Sequence, residues 1–188
     1  MPQITAGEFR NGVTFDYDGA LVQVVEFQHV KPGKGAAFVR TKMKNIITGA
    51  VTETSFNPTA KFEQAFIERK EMQYVYNDGD LYYFMDMETF DQEPLPKSAL
   101  GDNFRFVKEE TMCKISTWNG KVIAVEPPTF LTLQVIECEP GVKGNTATNV
   151  TKRAVVETGA EIKVPLFIEE GDMIRIDTRD GGSYLERA

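Results

Sequence analysis

Histidine and cysteine are nearly missing from this 188-residue sequence, which holds one His, His29, and two Cys, Cys113 and Cys138. Zinc sites draw most of their ligands from those residue types, so a zinc centre has almost nothing to build on, and no metal or other cofactor is expected. A Ser-His-Asp triad would have to form around His29 alone, and no nucleophile elbow accompanies it. The cysteines show no CxxC spacing and read as small buried hydrophobes. No apolar run approaches the roughly 18–20 residues that span a bilayer. The leading Met-Pro-Gln-Ile-Thr-Ala-Gly-Glu lacks the basic flank and apolar core of a secretory signal. A cytoplasmic protein without membrane partners is expected.

Positive charge is also short. The chain carries 21 Lys/Arg against 28 Asp/Glu, a net −7, which weighs against general nucleic-acid binding because phosphates are neutralised by Lys and Arg. The deficit is uneven. Residues 1–63 carry 7 Lys/Arg and 6 Asp/Glu, residues 64–128 carry 7 and 12, and residues 129–188 carry 7 and 10. Any contact with RNA is best placed in the first third.

Helical periodicity is scarce too, and only a short turn near Pro94–Leu100 reads as helical. What is present is strand after strand. Ile162, Val164, Leu166 and Ile168 alternate with other residues at a period of two, as do Leu131, Leu133 and Val135. Asp18-Gly19, Asp78-Gly79, Asn119-Gly120 and Asp180-Gly181-Gly182 supply tight turns between such runs. Glu126-Pro127-Pro128-Thr129 breaks two strong strand patterns, since tandem prolines cannot sit in a central strand. A softer break lies at Phe56-Asn57-Pro58-Thr59-Ala60. An all-β chain of three small barrels follows, over residues 1–63, 64–128 and 129–188, each near the lower size limit for independent folding. Units of that kind are commonly SH3-like or OB-type barrels.

Residues 21–30 and 36–44 read as paired strands, and Lys31-Pro32-Gly33-Lys34-Gly35 lies between them. Pro32 fixes its own φ, and glycines on both sides of Lys34 permit left-handed or mirror-β angles. The hairpin therefore presents one long cationic side chain with little cover. This is not a Walker A loop, which needs Gly-x-x-x-x-Gly-Lys-Ser/Thr opening a helix. On chemistry alone a solvated turn lysine is the commoner reading of such a tip.

The run His29-Val30-Lys31-Pro32-Gly33-Lys34-Gly35-Ala36-Ala37-Phe38-Val39-Arg40 resembles the modification loop of the bacterial elongation factor P family. Lys152-Arg153-Ala154, Gly159, Val164-Pro165 and Gly171 match that family's C-terminal signature. Asp80 to Asp86 resembles its second-domain hairpin. Glu139 to Gly144, Asp177-Thr178-Arg179, Tyr184 and Arg187 also match, so the likeness is collinear over essentially the whole chain.

The resemblance implies an SH3-like first domain and two OB-fold domains in an L-shaped, tRNA-like arrangement. It implies a non-enzymatic, monomeric factor bound between the P and E sites of the 70S ribosome, touching both subunits and relieving stalling at consecutive prolines. Lys34, supported by Lys31, Pro32, Gly33 and Gly35, would reach the CCA end of P-site peptidyl-tRNA. Gly144, Asn145 and Thr146 would meet the E-site mRNA codon, and Tyr184 and Arg187 would contact the ribosome or tRNA. A lysine-modifying enzyme is a further implied partner. Two positions depart from the family pattern. Asn145 replaces the usual Asp, losing a charge and gaining donors, and the terminal Asp180-Gly181-Gly182-Ser183 hairpin looks one residue longer, which leaves the placement of Tyr184 and Arg187 open.

Three other readings compete. An elongation factor P-like paralogue would act on other stalling sequences, although the intact Pro-Gly-Lys-Gly loop argues against it. A Schiff-base enzyme would need Lys34 depressed in pKa by burial or a neighbouring cation, which a glycine-flanked tip does not offer. A general OB-fold RNA-binding protein would need basic grooves interleaved with aromatics, and Tyr74, Tyr76, Tyr82, Tyr83 and Phe84 lie in the most acidic third.

Overall fold

The structure, a computed structural model, describes residues 2–141 and 150–188. Among them there is no α-helix, only 3₁₀ turns of three to five residues. The chain is all-β, with three β domains.

The first domain contains β1 (Gln3–Thr5), β2 (Thr14–Tyr17), β3 (Ala20–Val30), β4 (Phe38–Asn45), β5 (Val51–Phe56) and β6 (Lys61–Glu63). Strands β2 to β5 form a four-stranded sheet in sequential order, and β1 pairs with β6. Phe9, Phe15, Val24, Val39 and Met43 are fully buried at its centre. Phe9 stacks on Phe15 with ring centroids 4.8 Å apart, and Phe62 closes on Phe15 at 4.9 Å. The soft break at Phe56–Ala60 falls inside this domain. Asn57 turns the chain there by accepting from the Thr59 amide and hydroxyl, and β6 then returns to β1.

The middle domain contains β7 (Glu68–Asn77), β8 (Leu81–Met85), β9 (Gln92–Pro96), β10 (Met112–Trp118) and β11 (Lys121–Glu126), in sheet order β11-β10-β7-β8-β9. The expected helical piece at Pro94–Leu100 is helical only over Lys97–Ala99. Pro94 and Pro96 instead sit in β9, at the sheet edge, where a missing amide donor is tolerated. Cys113 is buried among the apolar residues, and burial pushes its thiol pKa up to about 12. Cys138 is half-buried, and both cysteines are free.

The third domain contains β12 (Phe130–Cys138), β13 (Thr151–Val156), β14 (Glu161–Pro165), β15 (Met173–Asp177) and β16 (Ser183–Arg187), in order β14-β13-β12-β15-β16. The Glu126–Thr129 break separates β11 from β12 as its prolines require. Compactness groups the residues into two bodies, one up to Glu68 with Thr117–Ile123 and one of Arg69–Ser116 with Ala124–Ala188.

Within the second body, one 3₁₀ turn joins two cores. Asp102–Phe106 places Phe104 against Tyr74, Tyr82 and Phe84 of the middle domain, with centroids 5.1–5.8 Å apart. Two residues on, Phe106 is fully buried in the third domain's core with Leu133, Val135, Ile162 and Ile176. Gly182 makes room for it, because a Cβ there would lie within 2.5 Å of Phe106 Cε1. Its φ of +80° is also one that side chains rarely adopt. Around this plug, Arg105 donates to the Gly181 carbonyl at 3.3 Å and Lys108 pairs with Glu157 at 3.3 Å. Thr178 adds a latch, donating from its hydroxyl to the Pro128 carbonyl at 2.8 Å.

Asp86 is 3% exposed and caps the loop after β8 by accepting from the Glu88 amide at 2.8 Å. Its ion pair with Lys70, followed by these amide bonds, holds its pKa down to about 2.

Two predictions follow from these contacts. Truncating a fully buried phenylalanine costs about 3–5 kcal/mol, so Phe106→Ala should lower the unfolding free energy measured by denaturant titration by that amount, and Gly182→Ala should destabilise the same body. A depressed carboxylate pKa contributes stability above the ordinary value of 3.8 that is lost as pH falls toward about 2. Thermal unfolding of the wild type should therefore drop across that window, and Asp86→Asn should flatten the drop.

Candidate functional site

The described geometry centres on the β3–β4 hairpin. The hairpin is rooted in the barrel, where Val39, Thr41 and Met43 of β4 are fully buried and β5 pairs beside β4 as far as Val39, and it projects as an arm beyond that point. Val24 is fully buried and Phe27 half-buried, whereas Val25, Glu26, Gln28 and His29 are exposed. At the root Val24 pairs with Met43 and Glu26 with Lys42, so Val25 is an extra residue, a β-bulge. Bulges bend the strand and increase its local twist, re-aiming what lies beyond. Phe27 is braced by the Arg10 guanidinium 5.8 Å from its ring and by His29 edge-on at 5.7 Å. Arg10 is itself fixed by donating to the Phe9 carbonyl at 2.7 Å.

Strand pairing runs to Val30 and Phe38, and the seven residues between them, with Lys34 in the middle, are all exposed. Pro32 stiffens the entry. The two glycines flanking Lys34 are both free to use left-handed or mirror-β angles, and they differ. Only Gly35 has a positive φ, +122°, while Gly33 does not and a Cβ there would meet nothing within 4 Å. Lys31 is exposed in the same loop. On the outer face of β4, Arg40, Lys42 and Lys44 follow the arm toward the barrel. Gln28 and Glu26 flank them on β3, and Ser55 and Glu53 on β5. Arg40 lies 3.7 Å from Glu53, an exposed pair of small energetic value. The arm can present an amine beyond the protein surface with a cationic row behind it.

Tyr184 and Arg187 lie on β16. Tyr184 pairs with Ile176 and Arg187 with Ile174. Residues three apart on a regular strand face opposite ways. Here Leu185 is an extra residue, and this bulge returns both side chains to one face. Tyr184 packs on the core edge with Phe167 at 6.4 Å, and Arg187 is held by Asp172 at 2.7 Å. The two are thereby placed despite the longer terminal hairpin. Gly144, Asn145 and Thr146 lie outside the described residues. No group of three or more His, Cys, Asp or Glu among the described residues is arranged to hold a metal ion. No described helix is long and apolar enough to cross a membrane.

Sequence reasoning missed the Val25 and Leu185 bulges and the Arg10 brace. The bulges had a signal, because Val24-Val25 and Tyr184-Leu185 double an apolar residue where strict alternation would place one. The brace had none, since it depends on a turn bringing Arg10 over Phe27.

Three family models tile the chain. Residues 5–62 match the elongation factor P KOW-like domain, residues 67–125 the elongation factor P OB domain, and residues 131–187 the elongation factor P C-terminal domain. Elongation factor P of Acetivibrio thermocellus is 64% identical over 184 residues, covering 98% of this chain and 99% of that protein. Elongation factor P of Ruminiclostridium cellulolyticum is 61% identical, covering 98% of each. Among solved structures, eukaryotic translation initiation factor 5A from Methanococcus jannaschii aligns with a TM-score of 0.53 at 25% identity, over 66% of this chain and 98% of that one. The three matched domains and these full-length relatives place the chain among the translation elongation factors. The chain belongs to the elongation factor P family.

The unequal glycines give a test of the loop. Forcing a side chain into left-handed backbone costs about 1–2 kcal/mol. Gly35→Ala should therefore shift the backbone amide resonances of residues 31–37, and Gly33→Ala should leave them nearly unchanged.

Proposed function

We propose that this factor binds the 70S ribosome between the P and E sites and stimulates peptide-bond formation at consecutive prolines, with Lys34 reaching the CCA end of the peptidyl-tRNA. The observation that carries the proposal is the arm itself. It is a hairpin that projects past the end of its pairing with β5, is braced by Arg10 over Phe27 and ends in an exposed lysine. Proline is a poor nucleophile and a constrained donor, so the barrier is largely one of positioning, which a factor can lower without supplying an acid or base. In this reading the chain is not an enzyme. Lys31, Pro32, Gly33 and Gly35 shape the loop, and the row Arg40, Lys42 and Lys44 meets nucleic-acid phosphates.

Lys34 is in this proposal the substrate of a lysine-modifying enzyme that lengthens its reach. An exposed lysine at a loop tip is open to such an enzyme, and the flanking glycines carry no side chain to cover its amine. The remaining roles follow the family pattern. Residues 1–63, 64–128 and 129–188 form the three domains, Gly144-Asn145-Thr146 meets the E-site codon, and Tyr184 and Arg187 contact ribosome or tRNA. The protein acts as a cytoplasmic monomer.

A reporter containing consecutive prolines, translated with and without the protein, tests the central claim. Wild type should restore synthesis and Lys34→Ala should fail at equal folded concentration. Equal rescue by both proteins would refute the assigned role of the arm. The intact mass of the Lys34 peptide from the native organism should exceed that calculated for the same peptide without modification.

A further inference from the structure

The middle domain carries a surface that the arm does not use. On the outer face of its sheet, Tyr76 of β7, Tyr83 of β8 and Pro94 of β9 lie in one cross-strand row. Leu81 and Met85 flank Tyr83 on β8, and Pro96 flanks Pro94 on β9. Successive outward residues of β8 are thus all apolar or aromatic, where a solvent face ordinarily alternates to polar. None of them is buried, and Tyr76 is 40% exposed.

The aromatic pair is fixed in advance. Tyr76 and Tyr83 stack with centroids 4.4 Å apart and planes 11° from parallel. A bulge at Val75 aligns Tyr76 with Tyr83, because Tyr74 pairs with Phe84 and Tyr76 with Tyr83. The Tyr83 hydroxyl donates to Asp78 Oδ2 at 3.0 Å. Asp78 also accepts from the Leu81 and Asp80 amides at 2.8 and 3.1 Å. These amides, and then Tyr83, hold the Asp78 carboxyl below the usual range, so it is ionised beside the rings.

Three properties select the occupant. Residues 64–128 carry 12 Asp/Glu against 7 Lys/Arg, so a polyanion is repelled and a cation attracted. Lys70, on the same strand as Tyr76, is already neutralised by Asp86. The Pro94 and Pro96 nitrogens deny the edge strand two amide donors, which discourages an added strand. What remains is a face suited to a flat cation. A guanidinium stacks on an exposed tyrosine ring and bonds carboxylates at its rim, which an ammonium does less well.

We infer that the Tyr76–Tyr83 face, rimmed by Asp78 and Asp80, docks an arginine-rich protein segment. This inference rests on the middle domain alone and is independent of the role proposed for Lys34.

The test is a titration of the ¹⁵N-labelled full chain with a ten-residue peptide of alternating arginine and glycine. Amide shifts should cluster at residues 76–83 and 92–96, and the matched lysine–glycine peptide should bind more weakly. Tyr76→Ser should weaken the arginine peptide about five- to tenfold, Tyr76→Phe should restore it, and Asp80→Asn should lower it. Thermal unfolding of each variant separates lost binding from lost folding. A ten-nucleotide single-stranded uridine RNA should leave these resonances unmoved. The inference is overturned if no binding occurs, if the shifts map to other acidic surfaces, if folded Tyr76→Ser binds as wild type, or if the RNA occupies the face.

Discussion

Two phenylalanines on one short turn decide how much of this chain behaves as a single body. Phe104 completes the middle domain's core and Phe106 completes that of the third domain. A barrel of about 60 residues is marginal by itself, so the Phe106 ring that the middle domain lends to the third domain's core is a real part of what holds that core together. The joining of the two cores follows from packing rather than from a stiff linker. The Arg105, Lys108 and Thr178 contacts surround the plug and set its orientation. Only glycine can stand at position 182, because the ring occupies the space its side chain would need.

Much of the fold was legible before any coordinates. Alternation at Leu131–Val135 and Ile162–Ile168, the turn dipeptides and the Pro127-Pro128 break marked an all-β chain of small domains. What escaped was the effect of contacts distant in sequence. Phe56–Ala60 looked like a division because local composition does not reveal that β6 returns to β1. Pro94–Leu100 reads as a short helical turn, and only the sheet order shows that its prolines belong to an edge strand.

The site was legible in a different way. The Pro-Gly-Lys-Gly run located the tip, and its flanking strands were placed within about two residues. Neither run could say where the arm leaves the barrel, since that depends on which residues the other strands cover. Nor could it separate Gly33 from Gly35, because a glycine permits a positive φ without requiring one. Bulges at Val25, Val75 and Leu185 share a written trace, two apolar residues in succession, which is readable once pairing registers are known.

The arm also has a mechanical side. A hairpin that overhangs its supporting strand works as a cantilever, and the displacement of its free end depends most on how firmly the clamped end is held. In this chain the clamp is β4 held by β5 and by buried Val39 and Thr41, with Arg10 over Phe27 on the other strand. Residues far from the tip therefore govern how widely Lys34 wanders. Stiffness at the tip is set at the root.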